Sequence, residues 1–304
     1  MRFGVMVGGH TSRLTVEQFI DQAKDLEARG FDTMWIPHVF GHDAITLAAL
    51  LGRETSRIEL GTAVVPTYPR HPTAIAQQSL TAADASKGRF TLGIGLSHPP
   101  VIENMIGLSY KRRASHMAEY MAVLGPILRG EPVDFDGDEY AVHGSFEVEG
   151  DPAIPVVLAA LGPKMLDIAG RETDGTLLWC TGFRMIEEHV VPRLTAAADA
   201  AGRPAPRVIA GMHIVHTEDA DRANEHMGRV LEQYNMMPSY KANIEREGSM
   251  TPADFALIGN EKALDAQLDR LAEIGVTDFD ANILEVEPGS RERTLDYLQS
   301  RLSG

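Results

Sequence analysis

The stretch Ile58–His98, IELGTAVVPTYPRHPTAIAQQSLTAADASKGRFTLGIGLSH, decides the fold. Its first run, Ile58 to Val65, is apolar and β-rich, and leads into a loop holding Pro66, Tyr68, Pro69 and Arg70-His71-Pro72. A helical pattern follows from Thr73 to Ala85, Gly88 stops it, and Phe90 to Ile94 is β-rich again. Strand, helix and strand in that order predict one parallel βαβ unit. The unusual residues follow each strand, whereas Ser86-Lys87-Gly88-Arg89 is an ordinary helix stop. Parallel α/β folds carry their chemistry beyond the carboxyl ends of the strands. Ala63 to His71 and Gly95 to His98 are therefore expected to face one pocket.

The same alternation extends in both directions. Toward the N-terminus lie strand-like Arg2 to Val7, a helix capped by Thr15 with Gln18 three residues on, and Thr33 to Ile36 ending at Pro37-His38. Asp43 caps an Ala- and Leu-rich helix. Beyond His98 come a helix from Ala114 to Leu128 and a hairpin signal at Asp136-Gly137. Further β-like runs are Ile154 to Ala159, Gly175 to Trp179, Arg207 to Val215 and Asp278 to Leu284. Eight strands alternating with helices predict an α/β (β/α)8 TIM barrel spanning 1–304 as a single domain. Irregular composition marks two expected insertions, about 131–153 after the fourth helix and 233–259 after the seventh. The second holds Met236, Met237 and Tyr240, which suit an apolar lid.

The chain has 304 residues, one cysteine and a formal net charge of −15. That charge argues against nucleic acid as a partner, because phosphate binding needs a basic face. It makes Lys111-Arg112-Arg113, the densest basic cluster, more informative, although charge runs are usually solvated. One cysteine excludes an internal disulfide and a multi-cysteine metal site. The N-terminus enters a strand without an apolar signal region, and no run approaches the roughly 18 apolar residues of a membrane span. The expectation is a cytoplasmic protein with no membrane partner.

The expected strand ends offer glycine and small residues: Gly8-Gly9-His10, Pro37-His38, Ala63-Val64, Leu96-Ser97-His98, Leu161-Gly162-Pro163, Cys180-Thr181-Gly182 and the region His213 to His216. Few acids appear, and no His-x-His follows the first strand, so no metal site is expected. No Gly-x-Ser-x-Gly elbow is present, and Gly93-Ile94-Gly95-Leu96-Ser97-His98 lacks the third glycine of a dinucleotide turn. Recurrent glycine suits backbone approach to a large flat or phosphorylated ligand. Gly162-Pro163 at a helix start is a natural anion seat, though each glycine alone is explained by a tight βα turn. Trp35 and Trp179, at strand ends, are expected to report on the mouth.

The segments LGTAVVPTYPRHP, LTAADASKGRFTLGIGLSH, IPVVLAALGPKMLDIAGRETDGTLLWCTG and LAEIGVTDFDANIL resemble the bacterial luciferase-like superfamily, and within it the coenzyme F420-dependent oxidoreductases. The resemblance runs from Arg2 to about Leu284. It implies an eight-stranded barrel with a deazaflavin, coenzyme F420, in its mouth, and FMN as the alternative cofactor. It places a non-prolyl cis peptide at Ala63-Val64 behind the ring and His38 near the ring. Gly95, Leu96, Ser97 and His98 fall beside its reactive edge. Leu161, Gly162, Pro163, Cys180, Thr181 and Gly182 fall near the phosphate-bearing tail. Sugar-phosphate dehydrogenases of the family have glutamate where His98 stands and lysines for the substrate phosphate, one of them near Phe183. These departures argue against a sugar phosphate.

The resemblance implies hydride transfer between the coenzyme and a small organic substrate, an enone, imine or alcohol/carbonyl, with His98 or His38 supplying the proton. Arg70-His71 reads as a loop brace or helix start, and Cys180 as a small wall residue with nothing to activate it. The alternatives are an FMN-dependent luciferase-like monooxygenase and a cofactor carrier without turnover. A homodimer is the expected assembly.

Overall fold

The computed structural model describes residues 1–9, 13–146, 154–232, 238–248 and 251–302. His10, Met236 and Met237 lie outside them, and the side chain of Tyr240 is not described. Eight parallel strands close a barrel: β1 Arg2–Met6, β2 Thr33–Ile36, β3 Glu59–Thr62, β4 Phe90–Gly95, β5 Val156–Leu158, β6 Gly175–Trp179, β7 Arg207–His216 and β8 Asp278–Ile283. Closure comes from β8 pairing both β7 and β1, with Ile209 and Arg2 each opposite Asp278. Among the described residues, no helix is long and apolar enough to cross a membrane.

The local chemistry anticipated from sequence sets the helix starts. Thr15 and Gln18 form a capping box at Val16–Arg29, and Asp43 caps Ala44–Glu54 by accepting the Thr46 N–H at 2.8 Å. His71 caps Pro72–Ala85, the helix of the central βαβ unit, with Pro72 at its first position. The hairpin pairs Val133–Asp136 with Ala141–Gly144 as a separate two-stranded sheet.

Two strand assignments need correction. The run Ile58 to Val65 is interrupted: β3 ends at Thr62, and Val65–Pro66 pairs separately with β4. The stretch 233–259, expected to be irregular, holds a strand Leu257–Gly259 that adds in parallel to the end of β7. Three residues are too few for a periodic signal, so pairing with the long β7 decides the assignment.

Main-chain alternation divides the strand side chains into two layers. Phe3 and Val5 pack outward among the helices, while Met6, Trp35, Val157, Leu177 and Ile209 cluster inside the barrel. Trp35 overturns its expected place at the mouth, because it is fully buried. Glycines on both neighbouring strands leave the space its indole fills. A Cβ on Gly4 would stand 2.8 Å from Cδ1, and one on Gly61 would run into the ring. Beneath it the amino-terminal end is closed by ion pairs. Arg207 meets Asp278 at 2.6 Å and Glu59 at 3.0 Å, and Arg2 meets Glu59 at 2.7 Å.

Candidate active site

A cavity of about 1860 Å³ opens at the carboxyl ends of the strands, where parallel barrels place their active sites. Ala63 and Val64 form one wall, and the peptide between them is cis. A Cβ on Gly95 would stand 2.8 Å from Val64 Cγ2 and 3.1 Å from Ala159 Cβ, so glycine is what allows β4 to pass this wall. The following loop, Leu96, Ser97 and His98, also lines the cavity. Ser97 adopts a left-handed φ of 62°, and its carbonyl accepts the Tyr110 hydroxyl at 2.7 Å, which fixes the loop. The His98 carbonyl accepts the N–H groups of Val101 and Ile102 as the chain turns into a helical segment.

His38 lines the cavity at the end of β2, the strand next to β3. Its Nδ1 accepts the Ala44 N–H at 3.2 Å, while Arg70 Nη2 stands 3.0 Å from Nε2 and donates to Asp43 Oδ2 at 2.9 Å. Both ring nitrogens thus face donors, although a neutral imidazole has one acceptor nitrogen. Burial, and then the Arg70 charge, hold the His38 pKa below its ordinary value, with Asp43 opposing them. Burial and Arg70 thus favour the neutral ring, whose Nδ1 accepts the Ala44 N–H.

Arg70 is held in turn by an aromatic cluster. Tyr120 donates to the Arg70 carbonyl at 3.0 Å. Tyr68 stacks on His116 at 4.0 Å, and His116 Nε2 hydrogen-bonds Thr67 Oγ1 at 2.9 Å. Burial pushes the His116 pKa down to about 4, so this brace is neutral.

Leu161, Gly162 and Pro163 line the cavity at the start of the helix Pro163–Glu172. A Cβ on Gly162 would meet nothing within 4 Å, so there is open space beside this helix start, whose first-turn amides have no partner within the helix. Lys164, Arg193 and Arg246 add cationic side chains to this region of the lining, and Arg193 is paired with Asp167 at 3.1 Å. Amides, a helix dipole and cations together suit an anionic group.

Cys180, Thr181 and Gly182 are not among the residues that line the cavity. Cys180 takes a left-handed φ of 46° and packs outward with Val215, Ala223 and Met227, where burial pushes its thiol well above the ordinary range. Thr181 is fully buried, and Gly182 lies beneath the Glu247 carboxylate.

Arg70, Trp179 and His213, which sequence reasoning placed near the mouth without a ligand role, line the cavity, and so do Met6 and Asn282, which it did not single out. His213 and Asn282 are register partners on β7 and β8, and the Trp179 ring packs edge-on against His213 at 5.0 Å. His213 is 4% exposed, its Nδ1 has no hydrogen-bond partner, and burial lowers its pKa to about 4. The available signal was strand parity: His213 lies two residues from Gly211, which faces Asp280 inside the barrel.

A parallel barrel with a large cavity at its strand ends is an enzyme architecture that serves many chemistries. The family model for luciferase-like monooxygenases matches residues 1–278, and the chain belongs to that family. A 5,10-methylenetetrahydromethanopterin reductase of Methanolobus tindarius is 28% identical over 271 residues, covering 84% of this chain and 82% of that protein. An F420-dependent glucose-6-phosphate dehydrogenase of Mycolicibacterium fortuitum is 30% identical over 271 residues, covering 81% and 80%. The solved coenzyme F420-dependent tetrahydromethanopterin reductase from Methanopyrus kandleri superposes with a TM-score of 0.84 at 21% identity, covering 98% of this chain and 97% of that one. At that identity the superposition shows the shared barrel alone.

Proposed function

We propose that the chain is a coenzyme F420-dependent oxidoreductase of the luciferase-like class, acting on a small, mostly apolar enone, imine or alcohol/carbonyl substrate. One observation carries this reading: a single cavity joins a smooth apolar wall to an anion-binding helix start. Met6, Ala63, Val64 and Trp179 offer the apolar surface for a ring, and Gly95 keeps that surface free of a protruding side chain. The Gly162 amides and Lys164 offer the seat for a phosphate-bearing tail. The residues present therefore fit the coenzyme.

When bound, the coenzyme supplies or accepts the hydride. The chain's own contribution is to orient both ligands, exclude water and manage the accompanying proton. His98 is assigned as the proton donor, because it lines the cavity on the loop that Tyr110 fixes and its side chain is of a type that serves as a general acid. His38 is assigned to ligand contact rather than proton donation, since the Ala44 amide and Arg70 already engage its two nitrogens.

Titration of the purified protein with oxidised F420 and with FMN, followed by tryptophan fluorescence, tests the reading. Trp179 lines the cavity while Trp35 is sealed in the core, so a ligand-dependent signal should disappear in Trp179→Phe. Micromolar F420 binding that exceeds FMN binding is the expected result. A preference for FMN would replace this reading with the monooxygenase that the family's description favours, and binding of neither would overturn both.

A further inference from the structure

The strands β1, β6, β7 and β8 contribute Met6, Leu177, Trp179, His213 and Asn282 to the cavity lining. The Trp179 ring lies edge-on to the His213 imidazole, with centroids 5.0 Å apart. A Cβ on Gly211 would stand 3.1 Å from Trp179 Cε3, so glycine is what lets the indole lie against β7 and hold the imidazole. The two ring nitrogens of His213 differ in their surroundings. Nδ1 is sealed from solvent and has no hydrogen-bond partner. Nε2 makes no hydrogen bond among the described residues either, but it is not sealed. The ring's small remaining exposure therefore brings Nε2 to the cavity. A neutral imidazole carries one N–H. A proton on Nδ1 would bury a donor that nothing accepts, which folded proteins rarely tolerate. A proton on Nε2 instead presents the donor to the cavity. Burial keeps the ring neutral by lowering its pKa to about 4. On β8 the register partner Asn282 adds a second polar group, whose Nδ2 meets the Met6 sulfur, a weak acceptor, at 3.5 Å.

We propose that His213 is a ligand-binding residue, whose Nε2–H donates a hydrogen bond to an uncharged carbonyl oxygen held beside Met6, Trp179 and Asn282. The proposal rests on the reading of the cavity as an oxidoreductase site. The carbonyl belongs either to the coenzyme ring or to the substrate, since both offer the same acceptor. An uncharged acceptor is what this place suits. A carboxylate there would exchange its hydration for neutral donors among apolar side chains, which leaves much of its charge uncompensated. The Trp179 contact holds the imidazole before the ligand arrives, so little ordering is needed on binding.

The test is nuclear magnetic resonance of the full chain, isotope-labelled at its histidine nitrogens, first without ligand. The His213 ring signals are those missing from His213→Gln. They should show a neutral ring with its proton on Nε2. Oxidised F420, FMN and cyclohexenone are then added separately, with cyclohexene as the probe that lacks a carbonyl. Carbonyl probes that reach the site should shift the Nε2–H signal with saturation, and cyclohexene should not. A response to F420 or FMN assigns the carbonyl to the coenzyme ring, and a response to cyclohexenone assigns it to the substrate. His213→Leu should weaken the responding probe about three- to tenfold, as expected for one neutral hydrogen bond. His213→Gln, which keeps an N–H donor on a side chain of similar reach, should retain most of the affinity. A proton on Nδ1 in the free protein would overturn the proposal. So would silence toward all three carbonyl probes, an equal response to cyclohexene, or wild-type affinity in His213→Leu. Failure of F420 to bind in the fluorescence titration sinks the oxidoreductase reading alone, because the tautomer and the cyclohexenone response still decide the role of His213.

Discussion

His213 should make the protein lose stability on mild acidification by an amount that can be assigned to one ring. Its imidazole is almost fully buried with an unpartnered Nδ1, and burial lowers its pKa to about 4 from the ordinary 6.5. Between these values the unfolded chain binds a proton that the folded chain does not, so stability falls as pH falls through this window. Linkage gives a loss of about 2 kcal/mol at pH 5 relative to pH above 7, approaching about 3 kcal/mol below pH 4. Other shifted groups contribute to the pH dependence as well. His116, also lowered to about 4, adds a similar loss, while Asp280, raised well above the ordinary carboxyl value, works in the opposite sense. The comparison with His213→Asn removes both, because they are common to the two proteins. Urea unfolding of each at pH 7 and pH 5 should show wild type losing about 2 kcal/mol more than the variant. Equal losses would mean that folded His213 titrates near 6.5 and that its ring is solvated, which would refute the argument.

Asp280 is fully buried, and both its carboxyl oxygens are without hydrogen-bond partners; burial, then the nearby Asp278, raise its pKa. The folded acid stays protonated where the unfolded one ionises, so stability is lost as pH rises above the unfolded value. Asp280→Asn should therefore gain stability over wild type as pH rises, by about 1.4 kcal/mol per unit until the folded group titrates; a pH-independent difference in urea midpoints between pH 5 and pH 8 would contradict this. Gly95→Ala would force a methyl to 2.8 Å from Val64 and 3.1 Å from Ala159. It should cost about 1–3 kcal/mol of stability and weaken F420 binding at least tenfold, and wild-type affinity in a folded variant would remove Gly95 from the ring-facing wall.

The barrel was legible because its evidence is repeated: each βα unit carries its own period change and helix stop, so small boundary errors leave the topology intact. The loops were legible only as places. Pro37-His38 reads as a strand end, but that His38 faces two donors depends on Arg70, 32 residues away, and on Ala44. Cys180 follows Trp179, which lines the cavity, yet its own side chain packs among Val215, Ala223 and Met227, and no local sequence pattern separates the two neighbours. Trp35 could have been placed better. Glycines within strands mark close approach by another group, and Gly4 and Gly61 on the strands flanking β2 are both satisfied by the one indole between them. Glu247, whose carboxylate accepts the Arg184 and Met185 N–H groups after Gly182, had no such signal. A glycine before a helix start reads equally well as a seat for a ligand's phosphate and as a seat for the chain's own carboxylate. What decides between them is the arrival of Pro238–Glu247 from a distant part of the sequence, so motif resemblance can locate an anion seat without saying whose anion fills it.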